Sequence, residues 1–379
     1  MRIAHGLVAV LALALPVLAV PPAHGSAPAA TVVAQAPYPG HGAASTAVSQ
    51  DGRTLVVETR AGLTSYAIGP KVVKRLGTTA IPGNAYQSKM LLSPGGRYLY
   101  VVQENVARGD LKIFALNGGA PRLVRTLSLA SVIHDPKDRF FRDATLTPDG
   151  RRLHLLGQGF VQVLVVRDPR HPVSGSRTDT FAGASTITAT ADGKHVVVGY
   201  GADEPRVARY LLRTATKLKL ETTAPVVVPG WEGRTDRTWI SKLLPGSGGG
   251  SVLVQLGSYY DEGGESAQEK TAIARIRVGD LGVAAATVPN DSAKQLFLED
   301  LSSNGRRVYL TSGHTTDEPE LLPRTALWTD STTLRARHPL GRLGDVRSLS
   351  VSPGGSTRDR LLAAVVRGDR HLVLEVDPR

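Results

Sequence analysis

Three groups of residues carry the side chains that could do chemistry. The first is the run His134-Asp135-Pro136-Lys137-Asp138-Arg139-Phe140-Phe141-Arg142-Asp143. A histidine that titrates near neutral pH, set beside carboxylates, can relay protons, so His134, Asp135 and Arg142 are the acid–base candidates. The second is the run from Trp231 to Trp239, which holds two of the three tryptophans together with Glu232, Arg234, Asp236 and Arg237. Aromatic faces next to guanidinium and carboxylate groups suit sugars, peptides or other flat polar ligands. The alternative is that Trp231 and Trp239 wedge packed sheets apart and that Trp239 begins a strand. The third group is acidic. It comprises Asp203-Glu204, then Tyr259-Tyr260-Asp261-Glu262 with Glu265, then His314 with Asp317, Glu318 and Glu320. On a basic chain such a patch reverses the local sign and attracts a cation or a basic ligand. Its oxygen donors suit calcium, although no ordered calcium-loop motif is present. Solvated loops that carry charge for solubility are the other reading. The ligand-binding candidates are therefore Trp231, Arg234, Tyr260, Asp261, Glu262, His314, Asp317 and Glu318.

The familiar catalytic patterns do not occur. No Gly-x-Ser-x-Gly elbow is present for a serine nucleophile. There is no His-Glu-x-x-His zinc motif, and Gly246 and Gly248–Gly250 lack the lysine and helix of a phosphate loop. With no cysteine, thiol catalysis, thiolate metal sites and disulfide scaffolding are ruled out. Two Arg-Gly-Asp triplets, at Arg108–Asp110 and Arg367–Asp369, read as turn chemistry. The balance leans toward binding rather than catalysis, and no resident cofactor or metal is expected beyond the calcium option.

The elements that must hold these residues repeat. Apolar residues, a Ser or Thr, a polar turn with glycine, a basic residue and a β-rich run recur in order. The copies are Val48–Arg53, Leu92–Arg97, Leu146–Arg151, Ala189–Lys194, a degenerate Leu244–Gly250, Leu301–Arg306 and Val351–Gly355. Their glycines are spaced by about 50 residues, which suits propeller blades. Asp-Gly and Asn-Gly supply the positive φ of a tight hairpin. Each interval has room for four strands, best seen near Lys89–Ser93, Tyr98–Val102, Leu111–Leu116 and Leu123–Leu127. Seven such units predict an all-β, seven-bladed β-propeller with four antiparallel strands per blade.

The last repeat is one strand short. It offers strands near Ser348–Val351, Leu361–Val366 and Leu372–Val376. Upstream, Thr31-Val32-Val33-Ala34-Gln35 is β-prone and unassigned. It is expected to be the outer strand of the last blade, which would protect an open edge. Residues 30–379 then form a single propeller domain.

The Ser-Pro-Asp/Gly-Gly-Arg turns followed by apolar strands resemble those of secreted bacterial propellers of the lactonase-like, TolB-like and YVTN-type repeat families. The resemblance runs from about Thr31 to Arg379. It rests on turn formers and strand core, so it implies a fold more than an activity. A lactonase-like hydrolase or lyase would have a His/Asp/Arg site at the channel mouth, which returns to His134, Asp135 and Arg142. The ten histidines are scattered, with no His-x-His pair.

Residues 1–29 read as a secretory signal. Arg2 and His5 precede the apolar run Leu7–Val20, which is short of the ~20 residues of a bilayer span. An N-terminal membrane anchor is the alternative. The protein is expected to be a secreted or extracellular monomer, with no transmembrane segment after cleavage. The formal charge is +12, from 45 Lys and Arg against 33 Asp and Glu. These charges are spread along the chain rather than bunched into the stripe of a nucleic-acid reader, so no nucleic-acid partner is expected. An anionic polymer of the cell envelope fits the balance better. The leading expectation is a binding or scaffold module that meets a protein, peptide or polysaccharide ligand at the channel face.

Overall fold

The structure is a computed structural model, and it describes residues 30–37, 46–59, 62–69, 73–81, 88–103, 109–129, 141–201, 204–214, 216–231, 238–262, 265–289, 294–302, 304–314, 324–341, 343, 345–352, 360–367 and 370–376. Among them lie seven four-stranded sheets, all with antiparallel neighbours. Six sheets use four consecutive strands, innermost first. In blade 2 these are Ser88–Leu92, Tyr98–Gln103, Asp110–Ala115 and Arg122–Ser128. The innermost strands are Thr46–Val48, Ser88–Leu92, Phe141–Leu146, Ala184–Ala189, Thr238–Pro245, Lys294–Leu301 and Asp345–Ser352, for blades 1 to 7. Each touches the next and the last touches the first, so the blades form a closed ring.

The apolar runs of the second and third strands follow from this ring. Side chains alternate across a strand, and here both faces are covered by a neighbouring blade. Tyr100 and Val102 pack toward Leu153 and Leu155 of blade 3, while Leu99 and Val101 pack toward Val56 and Leu63 of blade 1. Each blade-to-blade seam has its own buried cluster in this manner. Met90, Ile187, Ile240, Leu296, Leu349 and Leu362 each belong to a different one.

The seventh blade closes as expected. Ala30–Pro37 pairs antiparallel with Arg370–Val376, from Ala30 opposite Val376 to Pro37 opposite Arg370. That makes the N-terminal strand the outer edge of the last sheet. Arg360 adds a clamp there: its guanidinium binds both oxygens of Glu375 and reaches the carbonyl of Gly69 in blade 1.

The repeated turn differs in one respect from the expected tight hairpin. Gly52, Gly96, Gly150, Gly193 and Gly305 have φ between 64° and 69°, but the residue before each (Asp, Asn or, before Gly96, Gly95) does not have positive φ. The turn is thus a four-residue loop in which the glycine N–H donates to the Ser or Thr carbonyl, as in Gly150 to Thr147 at 2.8 Å. Side chains complete it. Thr147 Oγ1 donates to Asp149 Oδ1 at 2.6 Å, and Asp149 Oδ1 also accepts from Arg151 N at 3.0 Å. Thr147 Oγ1 then accepts from Arg152 N at 3.1 Å. The same pattern appears at Ser49/Asp51, Thr190/Asp192 and Ser302/Asn304. This is why Ser/Thr and Asp/Asn recur two residues apart. Glycine has a second reason as well. A Cβ on Gly150 would lie 2.5 Å from Pro94 Cδ, and one on Gly305 would strike Ser247. The turns pack against one another around one end of the ring.

Candidate functional site

The innermost strands line the channel, and among the described residues five of the seven are bulged. The ladder to the second strand slips around Arg142, Ser185, Ser241, Glu299 and Arg347. In blades 3, 4, 5 and 7 the extra residue sits at the same distance from the turn; in blade 6 it lies closer. A bulge leaves one residue unpaired and re-aims its neighbours. The residue that follows it is Asp143, Thr186, Lys242, Asp300 or Ser348.

These residues converge. Lys89 Nζ of blade 2 pairs with Asp143 Oδ1 of blade 3 at 3.0 Å, the lysine 39% exposed and the aspartate 11%. Asp143 Oδ2 accepts from Thr186 Oγ1 at 2.7 Å and from Ile187 N at 3.0 Å, both in blade 4. One carboxylate therefore ties three blades. Thr145 repeats the link one step along, accepting from Ala189 N at 3.1 Å. Across the channel, Lys242 Nζ donates to the carbonyl of Glu299 at 3.1 Å. That carbonyl belongs to the bulged residue, outside the regular ladder. Glu299 Oε1 accepts from Thr311 Oγ1 at 2.7 Å. Asp300 accepts from Leu301 N at 2.8 Å and from Val351 N of blade 7 at 2.7 Å. Thr46 completes the circle with Ser348 and Ser350 at 3.0 and 2.7 Å.

The electrostatics are perturbed in proportion. Burial pushes the Asp300 carboxyl up to about 6, against the pull of its backbone donors and of Lys242. Burial also lowers the Lys242 amine, which lies within electrostatic reach of Glu299, Lys89, Asp300 and Asp143. Those four groups come from blades 6, 2, 6 and 3, so ionisable groups meet across the ring. Removing charges from water costs free energy unless they are paired, and such clusters mark functional positions more often than chance. Lys89 is partly exposed to the channel. Asp143 holds it in place.

The expected site residues fare differently. Arg142 lies on the inner strand of blade 3, exposed at its bulge, while His134 and Asp135 fall outside the described residues. Trp231 is half-buried against the cluster of Val226, Val228 and Ile240, and its Nε1 is buried without a partner among the described residues. Trp239 begins the inner strand of blade 5 as expected, one residue after Thr238. Arg234, Asp317 and Glu318 lie outside the described residues. His314 ends a strand, opposite Lys294. The acidic turn of blade 5 was expected to be a loop, but the ladder runs through it. Tyr260 pairs with Gln268 and Glu262 with Glu265, with the slip at Asp261. The hairpin Ser251–Glu262/Glu265–Arg277 is longer than any other in the described ring because its register continues past the sheet edge. No group of three or more His, Asp or Glu residues among the described ones is placed to hold a metal ion. No described helix is long and apolar enough to cross a membrane.

Neither a family model nor a curated protein matches the chain. Solved structures do. The hydrazine synthase of Kuenenia stuttgartiensis is similar at TM-score 0.54 and 14% identity, over 86% of this chain and 94% of that one. A chain of a mitotic checkpoint complex is similar at TM-score 0.57 and 13% identity, over 98% and 99%. The periplasmic gluconolactonase PpgL of Pseudomonas aeruginosa is similar at TM-score 0.51 and 16% identity, over 78% and 85%. At these identities the likeness is one of architecture, and the chain is an all-β, seven-bladed β-propeller closed by its N-terminal strand.

Proposed function

We propose that the protein is an exported binding or scaffold propeller that meets a ligand or protein partner at the channel face. One observation carries this reading: Lys89, Asp143, Lys242, Glu299 and Asp300 converge from four blades onto the channel wall. Blades 1, 4 and 7 present hydroxyls at the same level. A wall of paired charges and hydroxyls offers a polar ligand many donors and acceptors, with the apolar seams behind it keeping the side chains in place. The test is a thermal-shift screen of envelope peptides, oligosaccharides and calcium. Wild type is compared with Lys89→Ala and with Asp261→Ala/Asp317→Ala. A ligand whose stabilisation disappears in Lys89→Ala supports the channel site, whereas loss only in the double aspartate variant moves the site to the acidic loops. Stabilisation retained in both variants would overturn the reading.

A second reading is a lactonase-like hydrolase with His134, Asp135 and Arg142 at the channel mouth. It is favoured by Arg142, which stands exposed at an inner-strand bulge beside Asp143. One architectural neighbour is a gluconolactonase. Hydrolysis of an aldonolactone that falls at least a hundredfold in Arg142→Ala would support it, and a rate equal to the uncatalysed one would remove it.

A further inference from the structure

We propose that the outer rim between blades 2 and 3 is a binding site for an acidic polysaccharide, separate from the channel. The groove there is lined by Arg122, Leu123, Val124, Arg125, Arg170 and His171. It brings the outermost strand of blade 2 beside the loop that follows the third strand of blade 3. Arg122, Arg125 and Arg170 are exposed, and no carboxylate among the described residues binds their guanidinium groups. The nearby carboxylate is already engaged. Asp168 accepts from His171 Nδ1 at 2.8 Å and from the backbone N–H of Arg170 at 3.0 Å, and the His171 bond comes first among the causes that hold its pKa below the usual range. Several cations elsewhere on the outer surface are matched. Arg209 and His195 share Glu221, Arg177 meets Asp179, and Arg277 meets Asp280. The groove is therefore a local excess of positive charge in a concave surface, which concentrates anions. Guanidinium forks match planar carboxylates and sulfates in two-point contacts.

The backbone decides between a glycan and a peptide strand. An outer blade strand has a free edge that an extended peptide could join. Here the ladder slips so that Ile113 faces Arg125 and Phe114 faces Leu123, leaving Val124 as a bulge. Val124 turns in to the blade 2–3 seam, while Leu123 is 38% exposed. A bulge flanked by arginines blunts an edge against added strands. What remains is a row of side chains on the blade 3 side of the strand: Arg122 and Arg125, opposite Ala115 and Ile113, with Arg170 across the groove, whereas Leu123, opposite Phe114, is on the blade 1 side. That pattern suits a sugar chain whose carboxylates or sulfates meet the arginines.

The test compares wild type with Arg122→Ser/Arg125→Ser/Arg170→Ser in binding to immobilised polygalacturonate and to dextran sulfate. A charge-matched control is Lys74→Ser/Lys217→Ser/Lys219→Ser, at three exposed lysines of other blades. The arginine variant should bind about tenfold more weakly or less, and its binding should depend less on salt by about two to three released counterions. The control should bind like wild type. The polygalacturonate and dextran sulfate arms separate a uronate from a sulfate ligand. Equal losses in both variants would show diffuse attraction by net charge and overturn the proposal. So would binding of poly-L-glutamate, but not of either glycan, with the same arginine dependence. The Lys89→Ala protein should bind these glycans like wild type, which keeps this site distinct from the channel.

Discussion

His154 should make this propeller acid-labile by a calculable amount. It sits on the second strand of blade 3, with no exposed surface and no partner for either ring nitrogen among the described residues. Leu153 and Leu155, on either side of it, face the blade 2 seam, so the imidazole faces the blade 4 seam with Leu156. Burial, and secondarily Arg152, push its pKa from 6.5 down to about 3. The unfolded chain therefore binds one more proton than the folded one between pH 6.5 and 3, and stability falls as pH falls through that window. The full difference is worth about 1.4 kcal/mol per pH unit. Taking both titrations into account, the histidine costs about 2 kcal/mol more at pH 5 than at pH 7. Asp300 works in the opposite sense, because its raised folded pKa makes the native state bind a proton more tightly as pH drops below about 6. Wild type alone would mix the two effects, so the measurement is a difference. Equilibrium urea unfolding of wild type and His154→Leu is carried out at pH 7 and pH 5. Asp300 titrates in both proteins and cancels. The stability gap should widen in favour of the variant by about 2 kcal/mol between the two pH values. His154→Gln, which keeps a polar group but cannot titrate, should show the same widening. A gap independent of pH in both variants would refute the buried neutral imidazole.

Further outcomes follow from the turns, the channel and the closure. Gly150→Ala combines a left-handed φ with a collision at Pro94, whereas Gly118→Ala, at φ 71°, meets open space; chemical denaturation should show Gly118→Ala losing about 1 kcal/mol and Gly150→Ala at least twice that. Asp143→Ala strands the N–H groups of Ile187 and Ala144 and leaves Lys89 unpaired, so it should cost about 2–4 kcal/mol in urea unfolding, and a loss below that of Thr186→Val would contradict the three-blade tie. A chain beginning at Ala43 lacks the outer strand of the last blade. It should melt several degrees lower and associate with rising concentration through the bared edge of Arg370–Val376, and an unchanged melting temperature would defeat the closure.

The architecture was legible because its signals are local. The Ser/Thr-x-Asp-Gly turn is encoded within six residues, and its hydrogen bonds join groups at most five positions apart. The missing fourth strand was legible by subtraction, since the last repeat needed a partner and Thr31–Gln35 had none. The channel wall was not legible. Lys89, Lys242 and the pair Glu299-Asp300 are charges in otherwise ordinary inner strands, and only ring geometry, with bulges in blades 5 and 6, brings them together. A usable signal did exist: an ionisable residue four positions before the turn, at Lys89, Asp143 and Lys242. Denser runs of charge lie in the loops, where charge is common for reasons of solubility. Arg142 shows the same difficulty from the other side, because its inner-strand position, not its neighbours in sequence, sets it beside the channel.

The pairing of Ala30 with Val376 also sets an order of events. The edge that seals the last blade comes from a strand that precedes all the others described, and its partner strand follows them all. Every seam cluster draws on two blades, and the one between blades 7 and 1 joins Leu55 to Leu362 and Val373. No blade finishes its own core. A growing chain can stack blades from one side, but each partial stack keeps a bare apolar face at both ends. The ring becomes whole in a single step, when the first and last described strands meet, and until then the polypeptide remains an open arc that a chaperone can hold and a protease can cut.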